Sequence, residues 1–235
     1  MSRILTPGKV PNELLEQLLR YADTSDPSIL VGPGVGEDTA VISAYGGINS
    51  AGDFLLLKTD PVTFAGDRIG YYAVHVNAND IAASGGTAKW FLASLLLPLC
   101  TRVDQIRKIL DDIAAAAHEL GMSICGGHTE ITEAVIRPVV CGMTVGTAAP
   151  EHLKRKSDIR PGQNIIMTKS AGFEGTAILA REYGERLAGK GVSKDAISRG
   201  ADFLDHISIL PEARIACVRE NGLSCARLNR VDCVN

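Results

Sequence analysis

His75-Val-Asn-Ala-Asn-Asp-Ile-Ala-Ala-Ser-Gly85 is the stretch of sequence on which the fold prediction depends. Small and apolar residues recur at helical spacing before and through it, which predicts a helix over residues 66–84 with one buried face. Asp80 belongs to that face, where a carboxylate is costly unless a hydrogen bond or an opposite charge compensates it. Two interpretations stay open: an acid that leans out to water or caps a neighbour, and a metal or nucleotide site at the helix end.

The composition indicates a globular protein without a nucleic-acid or membrane partner. Of the 235 residues, 46% are hydrophobic and 22% are charged, and the net charge of −3 comes with no basic tract. No apolar run is long enough to span a bilayer, and the N-terminal residues lack the apolar core of a signal peptide. The six cysteines form no C-x-x-C pair, and three lie inside apolar runs as reduced thiols do. We therefore expect a cytoplasmic protein.

The chain up to residue 149 is predicted to form an α+β domain, a sheet with helices on one face. Apolar runs, prolines and glycine stops mark the elements. In chain order, the predicted elements are a helix over 11–21, strands at 39–43 and 54–60, the helix over 66–84, a strand at 89–97, a helix over 101–121, and strands at 122–125 and 135–145.

A polar and basic segment over residues 150–162 predicts a domain boundary, which gives domains over 1–149 and 150–235. The second domain is predicted to begin with a strand at 164–168 and a glycine loop that enters a helix near Thr176. Two further helices are predicted at 196–209 and 211–220. No clear period follows Gly222, so we predict a partial α/β domain.

Carboxylates stand at similar places on three predicted elements. Asp38, preceded by Glu37, begins one strand, Asp60 ends another, and Asp80 lies on the central helix. Oxygen ligands on separate elements suit a magnesium ion that is held jointly with substrate phosphates. The Gly126-Gly127 pair, predicted to be a turn, offers backbone N–H groups to a phosphate. On spacing alone, the alternative is that the acids cap turns and the glycines only shape them.

Four motifs occur in an order that resembles the aminoimidazole ribonucleotide (AIR) synthetase superfamily: Gly36-Glu-Asp-Thr-Ala-Val41, Thr59-Asp-Pro61, Val76-Asn-Ala-Asn-Asp-Ile-Ala-Ala-Ser-Gly85 and Gly126-Gly-His-Thr-Glu130. This superfamily includes the hydrogenase-maturation factor HypE, thiamine-monophosphate kinase and selenophosphate synthetase. The motifs are most similar to those of HypE-like, AIR synthase-related proteins. The resemblance covers about residues 5–215.

The resemblance implies a PurM N-terminal-like domain that dimerises through its sheet, with ATP and Mg²⁺ near the dimer interface. A C-terminal α/β domain would complete each site. The implied metal ligands are Glu37, Asp38, Asp60 and Asp80. The implied contacts to ATP or its phosphates are Thr59, Asn77, Asn79, Gly126, Gly127, Thr129, Glu130, Lys169, Gly172 and Gly175.

His128 departs from the superfamily pattern, because HypE and the kinase relatives commonly carry aspartate there. Imidazole is a poorer magnesium ligand than a carboxylate, whereas its ordinary pKa suits proton transfer. His128 is therefore the candidate catalytic residue, and a histidine that only occupies a turn is the alternative. Cys233 does not match the reactive cysteine motif at the end of HypE and is a weak candidate as a carrier thiol.

These observations favour an ATP- and Mg²⁺-dependent enzyme that activates an oxygen of a small substrate or a carrier group by phosphoryl transfer. The alternative is a catalytically inactive binding or assembly subunit in metalloenzyme maturation that retains the fold. Either protein is predicted to be a homodimer, because strands 54–57 and 91–97 lack the alternation of a sheet with one wet face. Asp80→Asn is expected to leave the ligand-free protein as stable or more stable, because it relieves crowding with Asp38 and Asp60.

Overall fold

The computed structural model describes residues 5, 8–20, 22, 25–43 and 54–217. Cys233 and the predicted helix beyond residue 217 lie outside these residues. The described elements are, in chain order, α1 (Asn12–Leu19), β1 (Ile29–Val31), β2 (Ala40–Ile42), β3 (Phe54–Val62), α2 (Ile69–Ala83), β4 (Thr87–Leu97), α3 (Val103–Glu119), β5 (Ser123–Ile131), β6 (Val139–Ala148), α4 (Phe173–Gly189), α5 (Lys194–Asp202) and α6 (Leu210–Cys217), with 3₁₀ turns at Lys156–Asp158 and Phe203–His206.

A six-stranded mixed sheet with the order β1-β2-β3-β6-β4-β5 forms the centre of the protein. The β4–β5 pair is parallel, and the other pairs are antiparallel. Among the described helices, α2 and α3 make the substantial contacts with the sheet: α2 lies against β3, β6 and β4, and α3 lies beside α2 and contacts β5. The predicted α+β class of the N-terminal part is confirmed.

Helix α2 is buried along its whole length, and not only on the single face that the sequence predicted. It lies between the sheet, α3 and the C-terminal helix α6. Two glycines of β6 permit its close approach: a Cβ atom at Gly142 would lie 2.5 Å from Nδ2 of Asn77, and one at Gly146 would lie 2.5 Å from Cγ2 of Ile81. The helix ends as predicted, with Gly85 in the left-handed region at φ +84°.

Strands β3 and β5 each extend further than the sequence predicted. β3 continues through Pro61 to Val62. β2 pairs only with Leu55–Leu57, so among the described strands β3 has a neighbour on one side only at Pro61. Proline is tolerated at such an edge position. β5 runs through the whole of Gly126-Gly-His-Thr-Glu130, so the predicted glycine turn is wrong. Its Gly127 packs tightly on β4, since a Cβ atom there would lie 2.4 Å from the carbonyl oxygen of Ala93.

The C-terminal part is helical where the structure describes it. The predicted strand at 164–168 is wrong: this segment is irregular, because none of the described strands pairs with it, and its apolar side chains Ile165, Ile166 and Met167 are exposed. Helices α4 and α5 pack on each other, and Ala177 and Leu204 join the same core as α2. Within residues 149–217 the structure describes helices and no strand, so a partial α/β domain is not shown. The domain boundary stays a prediction.

Hydrogen bonds and ion pairs fasten α4 to the loop that precedes α2. The Oε1 atom of Glu182 accepts from the backbone N–H groups of Gly66 at 2.6 Å and of Asp67 at 2.7 Å. Arg181 and Lys108 pair with the Asp67 carboxylate, and despite partial burial these hydrogen bonds hold its pKa below the ordinary value. The C-terminal helices are therefore fixed against α2 by charge-assisted hydrogen bonds as well as by packing.

In the described part of the chain, no helix is both long enough and apolar enough to cross a membrane. The four cysteines described, at positions 100, 125, 141 and 217, are free thiols. Cys100 and Cys125 are exposed, whereas Cys141 and Cys217 are partly buried.

Candidate functional site

A pocket of about 330 Å³ opens between the β1–β2 connection and strand β3. Its volume is at the lower end of the range for small-molecule sites. The glycine-containing segment from Gly32 to Thr39 forms one wall, and the middle of β3, Leu57–Thr59, forms the other. Its polar lining consists of Glu37, Asp38, Thr39, Lys58 and Thr59.

Beneath this pocket, two side chains of β3 meet one of α2. Alternation along the strand places Lys58 and Asp60 on the face that carries the buried Phe54 and Leu56, which is the face covered by α2. The Lys58 Nζ atom lies 2.7 Å from Oδ2 of Asp80 and 3.6 Å from Oδ2 of Asp60. The sequence did not single out Lys58. Its position two residues after Leu56, on the buried face, is the signal that could have identified it.

Lys58 and Asp80 compensate each other's burial. The side chain of Asp80 is 5% exposed and that of Lys58 is 17% exposed. Burial by itself would lower the pKa of Lys58, but the ion pair and hydrogen bond with Asp80, aided by the charges of Asp60 and Asp38, raise it above its ordinary value. Lys58 is therefore an ammonium ion among three carboxylates.

The four predicted metal ligands do not converge on a single position that suits magnesium. In the part of the chain that the structure describes, no three or more acids, histidines or cysteines are grouped so that they could hold a metal ion. The Lys58 ammonium lies between Asp60 and Asp80. Glu37 and Asp38 line the pocket and are carboxylate donors of the kind that Mg²⁺ prefers. These two residues fit a metal ion that arrives with phosphates, whereas the Asp60–Asp80 pair does not fit one.

The side-chain amides of Asn77 and Asn79 form hydrogen bonds with the backbone. Asn77 is fully buried, and its Nδ2 group donates to the carbonyl oxygens of Ala73 at 2.8 Å and of Asp60 at 3.3 Å. Asn79 holds the C-terminal segment: its Nδ2 group donates to Ile207 O at 2.8 Å, and its Oδ1 atom accepts from Ile209 N at 2.9 Å. Neither amide lines the pocket.

Gly126–Thr129 of the fourth motif line a different cavity, of about 430 Å³, between β5 and α3. Its polar lining includes His128, Thr129 and Asp111, and its apolar side chains come from α3, β4 and β5. The Nε2 atom of His128 lies 3.4 Å from Oε2 of Glu130, two residues away on the exposed strand. Strands β6 and β4 lie between β3 and β5, so roughly 14 Å of sheet separates the two cavities within one chain.

The predicted phosphate contacts at the start of α4, Lys169, Gly172 and Gly175, do not line the pocket either. The Lys169 ammonium donates to the carbonyl oxygens of His206 and Ser208 and pairs with Glu212 at 3.0 Å. Gly172 takes φ +76° at the start of α4, and Gly175 lies in the first turn of that helix with open space around it. Lys169 therefore anchors the segment before α6, while the two glycines shape a helix start.

Comparison with known proteins defines the class of this domain. A family model described as AIR synthase related protein, N-terminal domain, matches residues 36–148. These residues include the acids Glu37, Asp38 and Asp60, the whole of α2 and the Gly126–Glu130 motif of β5. Residues 36–148 are therefore an AIR synthase-related, PurM-like N-terminal domain, as the four motifs indicated.

Curated relatives of this chain are enzymes of that superfamily. The carbamoyl dehydratase HypE of Rhizobium leguminosarum bv. viciae is 29% identical over 184 residues, which cover 74% of this chain and 49% of the relative. The selenide, water dikinase of Dechloromonas aromatica is 31% identical over 173 residues, which cover 70% and 47% respectively. The chain thus spans about half the length of these relatives, which are distant homologues.

Solved structures share the fold. AaThiL complexed with AMPPCP and TMP superposes with a TM-score of 0.63 at 19% identity, over 87% of this chain and 60% of that one. The hydrogenase maturation protein HypE in complex with ATP gives a TM-score of 0.51 at 22% identity, over 76% and 52%. At these identities the likeness establishes the architecture and nothing finer.

Proposed function

We propose that this protein is an ATP-dependent enzyme that activates an oxygen of a small substrate or a carrier group by phosphoryl transfer. The observation that carries the proposal is the pocket at the middle of β3, where Lys58, Glu37 and Asp38 line one cavity of an AIR synthase-related domain. Two relatives of this fold have been solved with ATP or with AMPPCP, an ATP analogue, which supports a nucleotide as the ligand.

The pocket offers the electrostatics that phosphoryl transfer requires. Catalysis in this reaction comes mainly from positioning and from neutralising charge on the transferred phosphoryl group. Lys58 supplies a positive charge at the pocket wall, while Glu37 and Asp38 would hold a magnesium ion that arrives with the nucleotide. Such an ion would offset the negative charge of the phosphate groups. Without a cation, the two carboxylates repel a triphosphate.

We further propose that the chain works as a homodimer, with a second copy on the sheet face opposite α2. On that face, alternate residues of three strands carry apolar side chains that are half-buried or exposed. These residues are Leu55 and Leu57 on β3, Leu92 and Leu96 on β4, and Met143 on β6. β5 is exposed along its whole length.

Thermal unfolding with and without ligand tests the nucleotide proposal. We expect ATP with Mg²⁺ to raise the melting temperature, since a ligand at a hundredfold excess over its Kd stabilises the native state by about 2.7 kcal/mol. ATP with a chelator is expected to have no effect. Asp38→Asn should abolish the shift and Glu133→Gln, an exposed acid in the β5–β6 loop, should keep it. An equal shift in Asp38→Asn would contradict the pocket assignment.

Measurement of ADP release separates the enzyme from the inactive assembly subunit. We would assign the protein as the assembly subunit if it binds ATP with Mg²⁺ but releases no ADP, whether or not candidate acceptors are present. Light scattering tests the dimer: we expect twice the chain mass for the wild type and a monomer for Leu92→Asp, which places a charge on the open sheet face. A wild-type monomer at micromolar concentration would contradict the dimer.

A further inference from the structure

Lys58 occupies a distinctive position, because its ammonium lies between carboxylates of two elements that packing fixes in place. Asp60 belongs to the same strand, and Asp80 belongs to the buried helix α2. The Nζ atom lies 2.7 Å from the Asp80 carboxylate and 3.6 Å from that of Asp60. Because α2 lies tightly against β3 and β6, these distances are set by the fold and not by flexible surface side chains.

The site has a closed side and an open side. The Asp80 side chain is 5% exposed, whereas that of Asp60 is 35% exposed. Lys58 itself lines the pocket together with Glu37 and Asp38. The ammonium of Lys58 is thus paired with a buried carboxylate, and the same residue lines the pocket that an anionic ligand would enter.

We propose that Lys58 is the resident cation of this site: its ammonium takes the position between Asp60 and Asp80 that a divalent metal ion would otherwise occupy, and it offers its charge to the anion in the pocket. The identification of that anion as a nucleotide phosphate depends on the proposed function. The assignment of Lys58 does not. A divalent ion cannot share the position, because it would lie within contact distance of a positive charge held by a buried carboxylate.

The proposal determines where a divalent metal ion binds. In the wild-type chain, metal ions bind through Glu37 and Asp38 together with the nucleotide, and Asp60 and Asp80 take none. Removal of the Lys58 charge converts Asp60 and Asp80 into two unneutralised carboxylates at one position. Carboxylate pairs of this kind attract a divalent ion. The lysine therefore sets the number of metal ions that the site accepts.

Titration with Mn²⁺ in the absence of nucleotide, followed by the electron paramagnetic resonance signal of the free ion, tests the proposal. We expect Lys58→Met to gain a site at least tenfold tighter than any in the wild type, and we expect the double variant Lys58→Met, Asp80→Asn to lose it. Lys58→Arg keeps the charge and is expected to behave as the wild type. Lys89→Met, on the exposed face of β4, is the matched control and should gain no site.

Two results would overturn the proposal. The first is a folded Lys58→Met variant that gains no Mn²⁺ site. The second is a tenfold loss of Mn²⁺ affinity in Asp60→Asn in the wild-type background, since Asp60 should hold no metal there. Asp60 is partly exposed, so Asp60→Asn is expected to fold. It therefore tests the proposal even where Lys58→Met fails to fold. Failure of the wild-type protein to bind ATP would contradict the proposed function, but it would leave the expected results of these nucleotide-free titrations unchanged.

Discussion

Gly142 of β6 lies so close to Asn77 of α2 that a Cβ atom at position 142 would come within 2.5 Å of the Asn77 amide nitrogen. This contact explains how a helix with a carboxylate and two amides can be buried on every side. The close approach lets Asn77 donate to the Asp60 carbonyl oxygen, and it brings Asp80 within reach of Lys58. Gly142, on the neighbouring strand β6, thus lets α2 place Asp80 beside Lys58 and Asp60 of β3.

Gly142→Ala is expected to destabilise the protein, because the added methyl group meets the amide of Asn77 and the ring of Phe91. Overpacking of this kind costs about 1–3 kcal/mol. Gly175→Ala is the control: it lies in α4 with open space around it, and alanine in a helix is favoured over glycine by about 1 kcal/mol. Urea unfolding of the two variants should therefore shift in opposite directions. Equal midpoints would contradict the tight contact.

Asn79→Ala is expected to lower stability without changing nucleotide affinity. The amide makes two hydrogen bonds to the backbone of Ile207 and Ile209, and its loss leaves those buried groups without a partner, at about 1–3 kcal/mol. Thermal unfolding measures the first effect, and calorimetric titration with ATP and Mg²⁺, well below the melting temperature, measures the second. A large loss of affinity in the folded variant would restore Asn79 as a nucleotide contact.

Asp80→Asn is now expected to destabilise the ligand-free protein, which reverses the expectation from sequence. The pairing with Lys58 is the reason: removal of the carboxylate charge leaves a largely buried ammonium with only the more distant carboxylates of Asp60 and Asp38, at a cost of about 3 kcal/mol. Denaturant unfolding checks this. Asp202→Asn, at the exposed end of α5, is the control. An unchanged or higher stability of Asp80→Asn would show that the ion pair contributes nothing.

His75 is expected to make the protein less stable in acid. Burial, with a smaller contribution from the charge of Arg68, lowers the pKa of His75 to about 4, so the folded protein holds the ring neutral. The unfolded chain takes up the proton near pH 6.5. This contribution to stability is therefore present above pH 6.5 and is lost as the pH falls from there towards 4, up to about 3 kcal/mol.

His75→Leu isolates this effect, because it removes the titration and also removes two buried ring nitrogens that have no hydrogen-bond partner. The variant should match or exceed the wild type at pH 7, and it should lose less stability between pH 7 and pH 4.5. His152→Gln, an exposed histidine, is the control and should follow the wild type. Parallel pH profiles for His75→Leu and the wild type would contradict the assignment.

The sequence by itself determined the features that depend on neighbours along the chain. The span of α2 and its glycine stop follow from helical spacing and from the freedom of Gly85 to adopt a positive φ. The apolar runs of β3 and β4 follow from local composition. The four ordered motifs identified the superfamily, and the family match over residues 36–148 confirms that identification.

Only the tertiary structure decided which of these residues meet. Lys58 was overlooked because its partner, Asp80, lies 22 positions away on another element, and neither residue signals the other in sequence. Gly126 and Gly127 were predicted to form a turn, because glycine pairs favour turns locally, but pairing with β4 extends them into a strand. Strand order, which depends on long-range pairing, placed β6 and β4 between β3 and β5 and so divided one predicted site into separate cavities.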